Sequence, residues 1–166
     1  MPTIVLIAHN LRSCHNVGSL LRTAEGLGVS KVILSGYTPY PETKDDERLP
    51  HVRQKLHRQI HKTALGAETS EPWQHTASID EVIATLRVDG FTIAALEQTA
   101  SATLLPSYVP PEKIALLLGR EVEGVEPEVL EACDLSLVIP MFGEKESFNV
   151  VQAAAMALYH CRFYKG

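Results

Sequence analysis

The residues best suited to chemistry sit where two apolar runs end. Ile114–Gly119 (IALLLG) leads into the charged loop Arg120–Glu126, and Leu135–Pro140 (LSLVIP) into a small polar loop carrying Ser147, Phe148 and Asn149. In open α/β sheets, ligands bind at such carboxyl ends of strands. Gly119 suits a backbone that comes close to a ligand, or simply a tight turn. Glu121 can orient a polar group, although Glu121, Glu123, Glu126, Glu128 and Glu131 together also fit an ordinary acidic surface. Ser147 and Asn149 are neutral hydrogen-bonders near a helix start, where either could equally be a cap. Gly18, Arg22 and Gly26 fall at i, i+4 and i+8, on one line of a helix. Glycine inside a helix costs roughly 1 kcal/mol relative to alanine. A glycine one turn either side of an arginine therefore implies close approach to the backbone. Either Arg22 faces a site, or the glycines allow tight packing and Arg22 is solvated; spacing alone favours the second.

A third set is electrostatic. Arg48, Arg53, Lys55, Arg58 and Lys62 are a third of the chain's 15 basic residues, and no acid lies between Arg48 and Lys62. In a chain of net charge −5 this is a local cation patch suited to phosphates. His57 and His61 are four apart and could share a helix face as metal ligands do. No carboxylate or cysteine follows at a supporting interval and there is no HExxH, so no metal is expected.

The elements that must position these residues can be read in order. Thr3–Ala8 is a β-rich apolar run, and Lys31–Ser35 another. Between them Val17, Leu20, Leu21, Ala24 and Leu27 recur at helical spacing, which predicts a helix over 16–28 with Asn16 as its cap and Gly28 as its stop. This is a right-handed parallel βαβ unit. Trp73–Ala77 reads as a short strand, Ile79–Val88 as a helix capped by Ser78, and Phe91–Leu96 as a strand. Pro127–Cys133 reads as a short helix and Asn149–Tyr164 as the last one. About six strands alternate with helices, so the class is α/β with a mainly parallel sheet and helices on both faces. The last helix is apolar almost all round, which implies burial in a core or a subunit interface. A homodimer follows as an expectation.

A length of 166 residues, 45% hydrophobic and 21% charged, fits one globular domain over 1–166. No apolar run approaches the ~20 residues of a membrane helix. The start, MPTIVLIAHN, lacks a basic region and reads as a first strand, not a signal peptide. Cys14, Cys133 and Cys161 form no CxxC pair and suit reduced thiols in a cytoplasmic protein. The absence of GxSxG, P-loop and GxGxxG motifs argues against a hydrolase, a nucleotidase and a Rossmann dehydrogenase.

Three segments taken together are more specific than any alone. Asn16-Val-Gly-Ser-Leu-Leu-Arg22-Thr-Ala, Leu118-Gly119-Arg-Glu121-Val-Glu-Gly124-Val, and Ile139-Pro140-Met141 with Ser147-Phe-Asn149-Val150 resemble, in order, the three motifs of the SpoU/TrmH family, the ribose-methylating branch of the SPOUT superfamily. Lys62–Glu68 also resembles a segment common in that family. Phe148 stands where the family usually has leucine or another aliphatic, a conservative departure. The resemblance runs from Thr3 to Tyr159. It implies a SPOUT-type domain with a C-terminal trefoil knot, acting as a homodimer, here without the N-terminal RNA-binding extension of many relatives.

The implied activity is S-adenosylmethionine-dependent methylation of a ribose 2′-hydroxyl in tRNA or rRNA. By resemblance Arg22 lies nearest the ribose. A guanidinium stays charged, so it reads first as a positioner of phosphate and developing alkoxide. Asn16, Ser147 and Asn149 would orient the hydroxyl, and Glu121 would hold Arg22 or the neighbouring loop. Leu96, Gly119, Ile139, Met141 and Ser147 would bind the cofactor, largely through backbone groups. Arg48, Arg53, Lys55, Arg58 and Lys62 would meet RNA. A SPOUT base methyltransferase and a non-catalytic RNA-binding or assembly protein are the alternatives; a nicotinamide-dependent oxidoreductase is a distant third, lacking a glycine fingerprint.

Overall fold

The structure is a computed structural model describing residues 1–166. Strand β1 (Thr3–His9) is followed by α1 (Cys14–Gly26), β2 (Lys31–Ser35), α2 (Pro50–Ala64) and α3 (Ala67–Ser70). Then come β3 (Trp73–Thr76), α4 (Ile79–Val88), β4 (Thr92–Leu96) and β5 (Thr103–Leu104). The chain ends with β6 (Lys113–Leu118), α5 (Pro127–Ala132), β7 (Leu135–Val138) and α6 (Val150–Phe163). The strands form one sheet in the order β3-β2-β1-β6-β4-β7-β5, and every pairing is parallel. There are seven strands, not six. The extra one, β5, has only two residues, too few for any periodicity to register.

Alternation along the strands divides the core. Ile4, Leu6 and Ala8 of β1 face the helices α1, α2, α3 and α6, whereas Val5 and Ile7 face α4 and α5. The central strands are buried on both faces and read as unbroken apolar runs, as parallel strands do. Helix α1 starts earlier than its sequence pattern predicts. Its cap is Ser13, whose hydroxyl accepts from the Asn16 amide at 3.1 Å, so Asn16 belongs to the first turn. Gly28, at φ +64°, does stop it.

Gly18 explains the glycine spacing. A Cβ there would collide with the Ile60 carbonyl, the Thr63 hydroxyl and the Ala64 amide of α2. Thr63 Oγ1 also donates to the His15 carbonyl at 2.8 Å, closing the α1–α2 contact. Gly26 has open space around it. Helix α6 buries Ala154, Ala157, Leu158 and Cys161 but exposes Tyr159 and Phe163, so it is not covered all round in one chain. Its Arg162 clamps the base of the fold, donating to the carbonyls of Leu27 and Pro2 at 2.8 Å each and to that of Gly28.

Glu71, between α3 and β3, is 5% exposed and its Oε1 has no hydrogen-bond partner. Burial, helped by the nearby Glu25 carboxylate, pushes its pKa up to about 7. The folded state therefore holds this proton more tightly than the unfolded chain does. Stability should fall as pH rises from about 4.5 to 7 on this account. Glu71→Gln is expected to gain roughly 2 kcal/mol at pH 8 and nothing at pH 4, read from urea unfolding at both pH values. Gly18→Ala should cost about 1–3 kcal/mol in the same measurement, because backbone atoms of α2 must move.

Candidate active site

Three neighbouring strands, β6, β4 and β7, release their chains at one end of the sheet, and an open cleft lies there. Its walls come from Leu96–Gln98, Leu118–Gly124, Leu137–Ile139 and the segment from Met141 through Glu146–Phe148 to α6. Gly119 has a local reason to be glycine. A Cβ there would come within 2.5 Å of the Val125 nitrogen and 2.6 Å of the Gly124 carbonyl carbon. Without one, the loop folds back on itself, Arg120 and Gly124 exchanging backbone hydrogen bonds of 3.2 and 3.1 Å.

Two carboxylates then tie this loop to its neighbours. Glu97 accepts from the Val125 amide at 2.9 Å and from the Gln98 amide at 3.0 Å. Glu121 accepts from the backbone amides of Arg12 (3.1 Å) and Ser13 (3.0 Å) and lies 3.5 Å from Asn16 Nδ2. It therefore holds the loop before α1 and makes no bond to Arg22. Glu126, the residue before α5, accepts from Asn10 Nδ2 at 2.9 Å and sits 3.5 Å from Arg120 Nε and 3.6 Å from His9 Nε2. Burial alone would raise the Glu126 pKa, but the Asn10 bond and the charges of His9 and Arg120 hold it below the ordinary range. Burial lowers the pKa of His9, outweighing the Glu126 carboxylate. The acidic run is thus only partly surface: Glu121 and Glu126 are structural acceptors. Glu97 is the residue the sequence reading missed. A carboxylate directly after a strand was the available signal.

Leu96, Gly119, Ile139, Met141 and Ser147, the expected cofactor residues, all line this cleft. Ser147 is exposed and its hydroxyl has no protein partner. Asn16, Arg22 and Asn149 do not line it. Asn16 touches it only through Glu121. Asn149 caps α6, its Oδ1 accepting from the Val151 amide at 2.9 Å. Arg22 is exposed on α1 and forms no ion pair.

The basic stretch is split by the fold. Arg48 is bound to Asp46 at 2.6 Å, donates to the Tyr40 and Pro41 carbonyls, and stacks on the Tyr40 ring. The Arg48 hydrogen bond holds the Asp46 carboxyl well below its usual range. Arg53 pairs with Glu42 at 2.8 Å and donates to the Asp46 carbonyl at 2.6 Å. Lys55, Arg58 and Lys62 are exposed and unpaired, at i, i+3 and i+7 on one stripe of α2. His57 accepts from the Glu42 amide while His61 pairs with Glu68, so the two imidazoles serve different partners. No group of three or more metal-ligating side chains is present.

The cleft's charge indicates what it can hold. Glu97, Glu121, Glu123 and Glu146 line it against one cation, Arg120. Such a lining repels phosphates and suits a ligand carrying a positive centre. S-adenosylmethionine, with a sulfonium and an ammonium, fits this donor set; a nicotinamide dinucleotide does not.

Residues 3–159 match the SpoU rRNA methylase family. The chain belongs to that family. Relatives include the 23S rRNA (guanosine-2′-O-)-methyltransferase RlmB of Neisseria meningitidis, 29% identical over 97% of this chain and 58% of its own length. A Staphylococcus aureus protein named for the TrmH family of tRNA/rRNA methyltransferases is 30% identical over 93% of this chain and 56% of its own. The fold resembles an AdoMet-bound rRNA methyltransferase from Sinorhizobium meliloti, with a TM-score of 0.79 and 22% identity over 96% of this chain and 56% of that one. The SpoU methyltransferase AviRb from Streptomyces viridochromogenes, also solved with AdoMet, gives 0.78 at 22% identity over the same shares. The chain spans a little over half the length of these relatives.

Loss of the Glu121 carboxylate would leave the Arg12 and Ser13 amides without their acceptor. Glu121→Ala is expected to cost about 1–2 kcal/mol of stability. Hydrogen exchange should speed up over residues 10–17 first; unchanged exchange there would remove Glu121 from this role.

Proposed function

We propose that this SpoU-family chain is an S-adenosylmethionine-dependent methyltransferase acting on a ribose 2′-hydroxyl of tRNA or rRNA. The observation that carries the reading is the acid-lined cleft at the ends of β4, β6 and β7, whose lining includes Gly119, Glu121, Met141 and Ser147 of the family-like segments. When bound, S-adenosylmethionine supplies an electrophilic methyl group. The chain's task is to hold a weakly nucleophilic hydroxyl in line with it and to assist loss of its proton. Ser147, at the cleft wall, would orient that hydroxyl. Glu97 and Glu121 fix the loop that closes one side. The C-terminal knot implied by the family resemblance belongs to the same reading.

A homodimer is part of the proposal. The exposed aromatic pair on α6, Tyr159 and Phe163 with ring centroids 4.8 Å apart, offers an apolar face for a second copy. Arg22 does not line its own chain's cleft, and a partner's cleft is where a free guanidinium would meet the developing alkoxide. Light scattering at the 18.2 kDa of one chain would contradict the dimer. A cytoplasmic location goes with an RNA substrate and with quiet thiols: burial pushes Cys133 and Cys161 up to about 11 and 12. No helix is long and apolar enough to cross a membrane.

Lys55, Arg58 and Lys62 span about 10 Å of α2 and present charge without a competing acid. They are the proposed RNA contact, with Arg48 and Arg53 supporting the loop beneath. Reversing the three to glutamate should weaken RNA binding and reduce the slope of log K against log salt by about 2–3. Arg22→Ala should abolish methyl transfer while leaving S-adenosylmethionine affinity by calorimetry within about twofold. Equal loss of both would remove Arg22 from the reaction. Full cofactor binding with no transfer by the unsubstituted chain would favour the non-catalytic reading.

A further inference from the structure

The lip of the cleft carries an apolar side chain that the fold does not use. Phe142 is 99% exposed, more than any other large apolar residue except Met1 at 100%. It belongs to neither core cluster and pairs with no other ring. It follows Met141, a cleft residue, and precedes Ser147 by five positions. Every residue from Phe142 to Asn149 is exposed, and within this segment Glu146, Ser147 and Phe148 line the cleft. Lys145, three positions on, is the cation of this segment. On the other wall Val122, which also lines the cleft, is 92% exposed. One uncovered apolar side chain thus follows directly on a cleft residue, and another lines the cleft.

We propose that Phe142 is a stacking platform for a nucleobase of the RNA substrate, either the target or its neighbour. The inference rests on the methyltransferase reading above and adds a substrate-positioning contact to it. Unpaired bases are commonly bound by stacking on aromatic side chains, because every base presents a π-face. A ring held out in water adds nothing to folding stability, and its burial against a base recovers that apolar area. Lys145, three positions on in the same exposed segment, suits the adjoining phosphate. The ring holds the nucleotide so that its ribose reaches Ser147, while the acid-lined cleft keeps phosphates out of the cofactor's place.

The test uses the full chain and the RNA fraction that accepts methyl label from it. Phe142→Ala should raise KM for that RNA by about tenfold or more. Affinity for S-adenosylmethionine, molar mass by light scattering and thermal unfolding should all stay unchanged. Phe142→Trp should restore the RNA KM. An unchanged RNA KM in Phe142→Ala overturns the proposal. So does a parallel loss of cofactor affinity, which would make Phe142 part of the cofactor pocket. A fall in molar mass overturns it too, because a second copy would then be what covers the ring. Failure of the unsubstituted chain to bind cofactor or label any RNA would instead sink the methyltransferase reading, and this inference with it.

Discussion

A Cβ at position 119 would lie within 2.5 Å of the Val125 nitrogen, and backbone, unlike a side-chain tip, has little freedom to yield. That steric limit organises the functional end of the molecule. Because β6 ends without a side chain, the next five residues can fold back over it. Their return puts Val125 against Glu97 at the end of β4 and lets Glu121 reach the amides before α1. One loop thereby joins β6, β4 and the β1–α1 connection. The cleft wall and the first turn of α1 are consequences of the same close approach.

Charge is distributed to match. The chain is acidic overall, yet four of its carboxylates line the cleft and three exposed, unpaired cations share one stripe of α2. Carboxylates that accept backbone N–H bonds, as Glu97 and Glu121 do, are fixed in place. They set a field that suits a sulfonium cofactor and opposes phosphate. The exposed stripe Lys55, Arg58 and Lys62 sets the opposite field on a different element. Arg48 and Arg53 belong to neither; they are spent on Asp46, Glu42 and nearby carbonyls.

Much of this was legible in the residues. Strand β2 and helix α4 fall where apolar runs and the Ser78 cap place them, and all five expected cofactor residues meet at one cleft. Other features depend on the fold and are not legible in the chain. The cap of α1 was misassigned because Ser13 and Asn16 are both good capping types, and only geometry shows which one accepts. Strand β5 was missed because two residues carry no period. The basic stretch looked uniform because its counter-ions, Glu42 and Asp46, precede it in the loop and reach it only after folding. Glu97 stands directly after a strand, but its partner, the Val125 amide, lies 28 positions away and meets it only in the fold. The position of Arg22 relative to the cleft depends on how α1 packs, which spacing along one helix does not contain.

The central claim is that the acid-lined cleft delivers a methyl group to ribose. The most direct measurement incubates the purified chain with methyl-labelled S-adenosylmethionine and size-fractionated unmodified RNA, then maps the label by nuclease digestion. The account predicts label in one RNA class, on a 2′-oxygen, resistant to alkaline cleavage at that linkage. Label on a base, or cofactor binding without label in any RNA, would contradict it.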